Sequence, residues 1–191
     1  MRAASSTRKD VLRTRANLIT AAEKLLTEDR EASLTEIAIA AGVSHATIYR
    51  HFADRTDLFI ALMERQMDRH EAEVAEWDLG PDSFERLLRL LTTEQSRFQG
   101  LMTEIRENDI GDARFQRLVG RTEELIRGPL EAAKAAGTVR KRQTIAGTMM
   151  LFRMVDGALA AHRERAVREL VAGEAVEVVL AGVRPGAGTK R

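Results

Sequence analysis

The spacing of prolines and apolar residues constrains this chain more than any other feature of its sequence. Its 191 residues contain three prolines, Pro81, Pro129 and Pro185, so long segments hold no helix-breaking residue. Apolar residues recur at helical spacing along most of the chain, and no segment alternates apolar and polar residues as a half-buried strand does. The sequence therefore predicts an all-α protein.

Composition narrows the class of protein further. The chain is 44% hydrophobic and 31% charged, as is usual for a globular protein, and it is long enough for one or two domains. It has no cysteine, which excludes disulfides, thiolate zinc sites and cysteine nucleophiles. We find no apolar run long enough to span a bilayer and no signal peptide, so we expect a cytoplasmic protein without a membrane partner.

Start signals define four N-terminal helices. Ser33 and Glu36 have the spacing of a capping box. Ser44 is placed to cap the next helix. The predicted helices cover about 9–28, 34–41, 45–51, and Asp54 to about Glu76.

The rest of the chain reads as further helices after a break at 77–81. Asp82 and Glu85 repeat the capping-box spacing, so a helix is expected to start there. Pro129 predicts a kink or a stop in a later helix. Two helices are expected between Gln143 and Gly182, with the position of their join left open.

The most informative segment is 33–52, where two short helices flank a glycine-containing turn, as a helix-turn-helix requires. Ala38 is small where the helices would cross. Gly42 stands where the chain must turn sharply, and a positive φ is expected there. The residues predicted to face inward are Ile37, Val43 and Ile48.

The outward side of the second short helix is polar and small. A helix with short side chains at its N-terminus can enter a DNA major groove closely. On spacing alone, an ordinary helical hairpin within a larger bundle remains the alternative. The residues on this outward side are Ser44, His45, Ala46, Thr47 and Arg50.

Residues 48–58 resemble the signature of TetR-type repressors, in which a Tyr-x-His-Phe run ends the recognition helix and a basic residue opens the next one. Here the run is 49–52 and the basic residue is Arg55. Upstream, 18–26 is similar to the family's first helix and 34–44 to its second helix and turn. The later helices resemble the family only in number, length and ending.

The resemblance implies a set of residues that contact DNA. Arg55 and the start of the second helix would bind phosphates, which fixes register without reading sequence. His45 and Arg50 would distinguish bases, because each can donate to purine acceptors. Two departures, Leu26 and the glycine-free loop 28–31, affect only the shape of that loop. The implied DNA-binding residues are Ser33, Thr35, Ser44, His45, Ala46, Thr47, Tyr49, Arg50, His51 and Arg55.

A basic segment precedes this motif. Arg2, Arg8, Lys9, Arg13 and Arg15 are opposed only by Asp10 in the first fifteen residues. An arm ahead of the first helix could reach DNA phosphates or a minor groove, and a solvated tail is the alternative.

The resemblance also implies a C-terminal helical domain that binds ligand and dimerises. Glycine and alanine make the helix near 143–162 slim enough for close packing with a second copy, with internal packing as the alternative. The expected interface residues are Met150, Met154, Gly157, Ala158, Ala161, Val171 and Val178. The expected pocket residues, each of which could instead be plain core, are Phe98, Leu101, Met102, Phe115, Leu118, Met149, Phe152 and Asp156. Further polar candidates for the pocket, unranked, are Gln95, Asn108 and His162.

Together these patterns predict a helix-turn-helix domain at 1–57 with a basic arm at 1–10, a ligand-binding and dimerisation domain at 58–183, and a disordered tail at 184–191. The expected function is a ligand-responsive repressor that binds a palindromic operator in double-stranded DNA as a homodimer. A small-molecule effector would release it by favouring a conformation in which the fourth helix swings. No cofactor, metal or enzymatic activity is expected. The alternative is a helical interaction protein without sequence-specific DNA binding, and activation instead of repression stays open.

Overall fold

The protein is all-α, as predicted. The computed structural model describes residues 2–27, 32–109 and 112–185. The helices of this part are α1 (Arg2–Thr27), α2 (Leu34–Ala40), α3 (His45–His51), α4 (Arg55–Ala75), α5 (Ser83–Arg97), α6 (Gln99–Asp109), α7 (Ala113–Ala135), α8 (Ile145–Ala160) and α9 (Arg165–Val183). None of the described helices is both long and apolar enough to cross a bilayer.

Side-chain caps fix several of these helix starts, because they satisfy backbone N–H groups that have no partner inside the helix. Thr144 Oγ1 accepts from the Gly147 N–H at 2.9 Å and begins α8. Asp112 Oδ1 accepts from the N–H of Phe115 at 3.0 Å and begins α7. The backbone bond lowers the pKa of the Asp112 carboxyl. The open join of the last two helices falls at 161–164.

The structure differs from the sequence analysis at three helix positions, although the helix start expected at Asp82 is correct because α5 begins at Ser83. α1 begins at Arg2, not near residue 9, so residues 2–8 of the expected arm belong to the helix. Asp82 makes no side-chain cap bond, and Ser83 Oγ instead accepts from the Gly80 N–H at 2.7 Å. α7 continues through Pro129 without stopping, since residues on both sides of the proline are buried in the core and offset the lost backbone bond.

The described chain divides into two compact units, Met1–Arg65 and Gln66–Arg191. The division lies inside α4, eight residues after the boundary expected from the sequence. Residues 28–31, 110–111 and most of the expected tail, 186–191, lie outside the described residues.

The first unit is built on the buried faces of α1 to α3 and the start of α4. Its core residues come from each of these elements, including Leu34, Ile37 and Ala38 of α2 and Ile48 of α3. Arg65 of α4 donates to Thr20 Oγ1 of α1 at 2.8 Å and pairs with Glu23. The largest buried residues of this unit are Leu18, Ile37, Ile48, Phe52, Leu58, Phe59 and Leu62.

The second unit packs α7, α8 and α9 around α5. One apolar cluster joins these four helices and includes Phe84, Leu88, Ile126, Leu130, Phe152, Val176 and Leu180. The C-terminal half of α4 is joined to α7 by Arg121, whose guanidinium donates to Glu71 Oε1 at 2.7 Å and to Asp68 Oδ1 at 2.6 Å. These bonds lower the pKa of the Glu71 carboxyl and raise that of Arg121.

Candidate nucleic-acid interface

The start of α3 is fixed by a side-chain cap. Ser44 has extended backbone (φ −73°, ψ 154°), and its Oγ accepts from the Thr47 N–H at 3.2 Å. The two hydroxyl oxygens lie 2.8 Å apart and share a hydrogen bond. The predicted N-cap is therefore confirmed. The remaining N–H groups of this turn point outward at the positive end of a helix, which suits an anion.

The start of α2 has the predicted capping box. Ser33 Oγ accepts from the Glu36 N–H at 3.2 Å, and Glu36 Oε2 accepts from the Ser33 N–H at 2.8 Å. Because Ser33 is engaged in this box, its hydroxyl is held in place at the first turn of α2. Thr35, the other residue predicted at this turn, is exposed.

The turn between α2 and α3 has the geometry that its sequence predicts. Gly42 has φ 69°, a conformation that strains residues with a Cβ. Ala38 and Ile37 of α2 and Ile48 of α3 are buried, while Val43 is half-buried. These contacts hold α3 against α2 by its inner side alone, which leaves its other side exposed.

The exposed side of α3 carries the residues that the sequence assigns to base contacts. Ser44, His45, Ala46 and Arg50 are exposed, and Thr47 is half-buried. The Tyr49 side chain is 48% exposed, and its ring lies 4.8 Å from that of His45 at a tilt of 53°. Phe52 is fully buried, as predicted. Donors and small side chains thus share one accessible surface, which we call the α3 face (Ser44, His45, Ala46, Thr47, Tyr49 and Arg50).

The end of α3 is held by Arg15, which the sequence analysis counted only among the basic residues near the N-terminus. Arg15 of α1 donates to the His51 carbonyl oxygen at 2.6 Å, and its guanidinium carbon lies 4.2 Å from the centre of the Phe52 ring. His51 is half-buried, and burial together with the nearby Arg15 charge lowers its pKa. Arg15 therefore positions the end of α3 instead of extending ahead of the helix.

Arg55 lies at the first residue of α4, half-buried, with its guanidinium carbon 4.8 Å from the centre of the Phe59 ring. Two carboxylates fix this turn. Asp54 Oδ1 accepts from the Asp57 N–H at 2.8 Å, and Asp57 Oδ2 accepts from the Ala53 N–H at 3.0 Å. Sequence reasoning predicted the Asp54 cap but not the reciprocal bond from Asp57.

The predicted pocket residues lie largely in the interior of the second unit. Met102 and Met149 are half-buried, and the other six are buried: Phe98, Leu101, Phe115, Leu118, Phe152 and Asp156. A small apolar void of about 10 Å³, which is room for about one water, is lined by Phe152 but by none of the other predicted residues. The pocket stays a prediction, and the side chain of Asn108 lies outside the described residues.

The predicted interface residues form an exposed apolar surface on α8 and α9. Met150 is 57% exposed, Met154 61% and Val178 70%. Gly157, Ala158 and Ala161 are also exposed. Val171 differs, because it is half-buried against Val155, Leu159 and Ala172 of its own unit. Sequence reasoning did not single out Leu170, which is 72% exposed. We call this the α8–α9 face (Met150, Met154, Gly157, Ala158, Ala161, Leu170 and Val178).

Comparison with known proteins agrees with this geometry. Residues 18–62 match the sequence model of the bacterial regulatory proteins of the tetR family. Over 83 residues the chain is 34% identical to the HTH-type transcriptional repressor LfrR of Mycolicibacterium smegmatis. That match covers 44% of this chain and 44% of the repressor, so it spans less than half of the relative's length.

Two solved structures share the fold of nearly the whole chain. A TetR transcriptional regulator from Streptomyces coelicolor superposes with a TM-score of 0.65 at 23% identity, covering 91% of this chain and 99% of that one. LfrR from Mycobacterium smegmatis, solved in complex with proflavine, gives a TM-score of 0.58 at 24% identity and covers 91% and 97% of the two chains.

The segment that matches this family contains α2, the turn at Gly42 and α3, which together form a helix-turn-helix. Residues 18–62 therefore match the tetR family, and the whole chain has the fold of solved TetR regulators.

Proposed function

We propose that this chain is a ligand-responsive repressor that binds a palindromic operator as a homodimer and leaves it when a small-molecule effector binds. The observation that carries the proposal is the α3 face, which presents hydrogen-bond donors and short side chains on a helix anchored from behind by Ile48 and Phe52. A protruding helix of this kind fits a major groove.

Within this proposal, the DNA contacts divide into two kinds. His45 and Arg50 read bases from the exposed side of α3, since both can donate to guanine or adenine acceptors. Ser33, Thr35, Ser44, Tyr49, His51 and Arg55 bind the backbone, with Ala46 and Thr47 permitting close approach. His51 and Arg55 are half-buried, at the end of α3 and the start of α4, which supports backbone contacts for them in this proposal.

Homodimerisation is supported by the α8–α9 face. Isolated exposed apolar residues are common, but this surface joins large apolar side chains on two adjacent helices to small residues between them. Two such helix pairs related by a twofold axis form a four-helix bundle. A dimer also presents two copies of α3 to two half-sites, which a palindrome requires.

Release by an effector is supported by the continuity of α4. Arg65 ties this helix to α1 in the first unit, and Arg121 ties its C-terminal half to α7 in the second. We consider two positions of α4, of which one allows DNA binding. An effector that binds the second unit more tightly in the other position would lower the population of molecules that can bind DNA. The complex of LfrR with proflavine supports a small molecule as the effector.

The test is selection of bound fragments from a random DNA library with the full chain. We expect an inverted repeat whose half-sites lie about one helical turn apart. Arg50→Ala should abolish the enrichment, whereas Arg127→Ala, which removes an exposed cation from α7, should leave it unchanged. Failure to enrich any sequence with the unaltered protein would contradict the proposal and favour a helical interaction protein.

A further inference from the structure

Two glutamine amides line the junction of α5 and α6 where it meets α8. Gln95 Nε2 donates to the Phe152 carbonyl oxygen at 3.3 Å. Gln99 Nε2 donates to the Asp156 carbonyl oxygen, one turn further along α8, also at 3.3 Å. Phe152 and Asp156 are both residues that the sequence assigns to the effector pocket.

The orientation of the Gln99 amide is fixed by its partners. Its Nε2 also donates to Thr103 Oγ1 at 3.3 Å, and the Thr103 hydroxyl donates to the Gln99 carbonyl oxygen at 3.1 Å. Reversing the amide would place its oxygen against the Asp156 carbonyl oxygen and against a hydroxyl whose hydrogen is directed elsewhere. The amide oxygen therefore points away from both partners.

Both amide oxygens are buried without a hydrogen-bond donor among the residues that the structure describes. Gln99 as a whole is 3% exposed, so solvent does not serve this oxygen. The neighbouring side chains Phe98 and Leu101 are buried and apolar. Buried acceptors nearly always have a donor, and one left without it inside apolar surroundings destabilises the folded protein.

We propose that Gln95 and Gln99 form the polar end of the effector site, and that the effector is an apolar molecule carrying an N–H or O–H donor. This inference rests on the proposed function, because it names the ligand class of that same site. A molecule without a donor leaves the two oxygens unpaired and binds less well. A carboxylate is excluded more strongly, since it would bring its own oxygens against them.

The experiment uses two matched probe pairs that differ in donors but share a ring system. 1-Naphthylamine carries an amino group that 1-methylnaphthalene lacks, and 2-naphthol has a hydroxyl that 2-methoxynaphthalene lacks; all four are neutral at pH 7. Binding to the full-length protein is measured by calorimetry, and release of the selected operator by fluorescence anisotropy. In at least one pair, we expect the donor-bearing member to bind the protein about tenfold or more tightly than its partner. It should also release the operator at a correspondingly lower concentration.

Gln99→Met is the decisive variant, because it removes the acceptor at similar volume. We expect it to reduce the preference within the pair, and the double variant Gln95→Met with Gln99→Met to abolish it, because both acceptors are then removed. The melting temperature is measured in parallel, because Gln99→Met also removes the bonds from Nε2 to Asp156 and Thr103. Gln143→Met is the control. Gln143 precedes α8, and its Nε2 donates to Thr148 Oγ1 at 3.2 Å, so it should retain the preference.

Equal binding within both pairs, or a preference that Gln99→Met leaves unchanged, overturns this inference. The inference is also overturned if no donor-bearing probe binds to protein that still binds its selected operator. In those cases the repressor assignment stands, whereas failure to select any operator defeats the repressor assignment itself.

Discussion

Two exposed helical surfaces of this protein differ sharply in chemistry. The α3 face is polar, with His45 and Arg50 beside hydroxyl groups at the capped start of the helix. The α8–α9 face is apolar, with Met154 61% and Leu170 72% exposed. Both are as accessible as any solvent-facing helix, so accessibility alone does not distinguish them.

This difference in polarity indicates which kind of partner each surface fits. Hydrogen-bond donors at a helix N-terminus bind acceptors such as DNA phosphates and purine edges. Removal of water is not the main source of that binding free energy. Exposed methionine and leucine side chains contribute to binding mainly when their apolar area is removed from water, as at the core of a protein interface. The first surface therefore suits nucleic acid and the second suits another copy of the chain.

The largest effect is expected from placing charge on the apolar surface. In the proposed dimer, Met154→Glu places a charge in the apolar interface of each copy, which should cost several kcal/mol, equivalent to a dimer about 100-fold weaker or worse. Sedimentation equilibrium measures this directly. Ala135→Glu, at an exposed position of α7, is the control and should remain dimeric. An unchanged dimer in the Met154 variant would remove the α8–α9 face from the interface.

The next effect concerns the polar surface. Each of His45→Ala and Arg50→Ala should weaken binding to the selected operator by about 10- to 100-fold and leave binding to unrelated DNA almost unchanged. Arg55→Ala should weaken both equally and reduce the salt slope by about one. Fluorescence anisotropy at several salt concentrations separates the two patterns. Equal losses on all DNA from the α3 variants would show that they contact only phosphate.

A smaller effect is expected from the cap of α3. Ser44→Ala removes the acceptor of the Thr47 N–H and should lower the free energy of unfolding by about 1 kcal/mol. Ser44→Asp keeps an acceptor and should keep the stability, yet it should bind DNA more weakly because it adds a negative charge to the α3 face. Urea unfolding and operator titration measure the two quantities. Equal DNA affinity in Ser44→Asp and the unaltered protein would place Ser44 away from the DNA backbone.

The smallest effect is a pH dependence at the end of α3. Burial and Arg15 lower the pKa of His51 below 6.5, so its contribution to stability is complete above that pH and is lost as pH falls through the lowered value. Arg15→Gln should raise the His51 pKa in an NMR titration, without restoring it fully because burial remains. Arg13→Gln, an exposed neighbour on α1, should leave it unchanged. An identical His51 titration in both variants would show that Arg15 does not set it.

Local sequence patterns predicted some features of the fold correctly and others not. The caps Ser33 and Ser44 and the turn at Gly42 depend on residues within three or four positions, so local spacing predicted them correctly. Asp82 and Pro129 follow equally local rules, and α5 does begin at Ser83, but the Asp82 side chain makes no cap bond and the helix does not stop at Pro129. Residues on both sides of the proline are buried, which sustains α7.

For the candidate site, the sequence predicted which side of α3 would be exposed, since a residue's side follows from helical period. It could not predict Arg15, whose bond to the His51 carbonyl spans 36 residues. Nor could it rank Gln95 or find Gln99, whose bonds to α8 span 57 residues. Such pairs depend on how separate helices pack, which no local pattern encodes.

Methylation interference on the selected operator tests the central claim most directly, because dimethyl sulfate modifies guanine N7 in the major groove, where the α3 face would dock. We expect methylation at one or more guanines in each half-site to block binding, about one helical turn apart. That block should vanish in Arg50→Ala while binding to unmethylated DNA persists at lower affinity. Binding that tolerates methylation of every guanine N7, or interference confined to adenine N3 in the minor groove, would contradict the account.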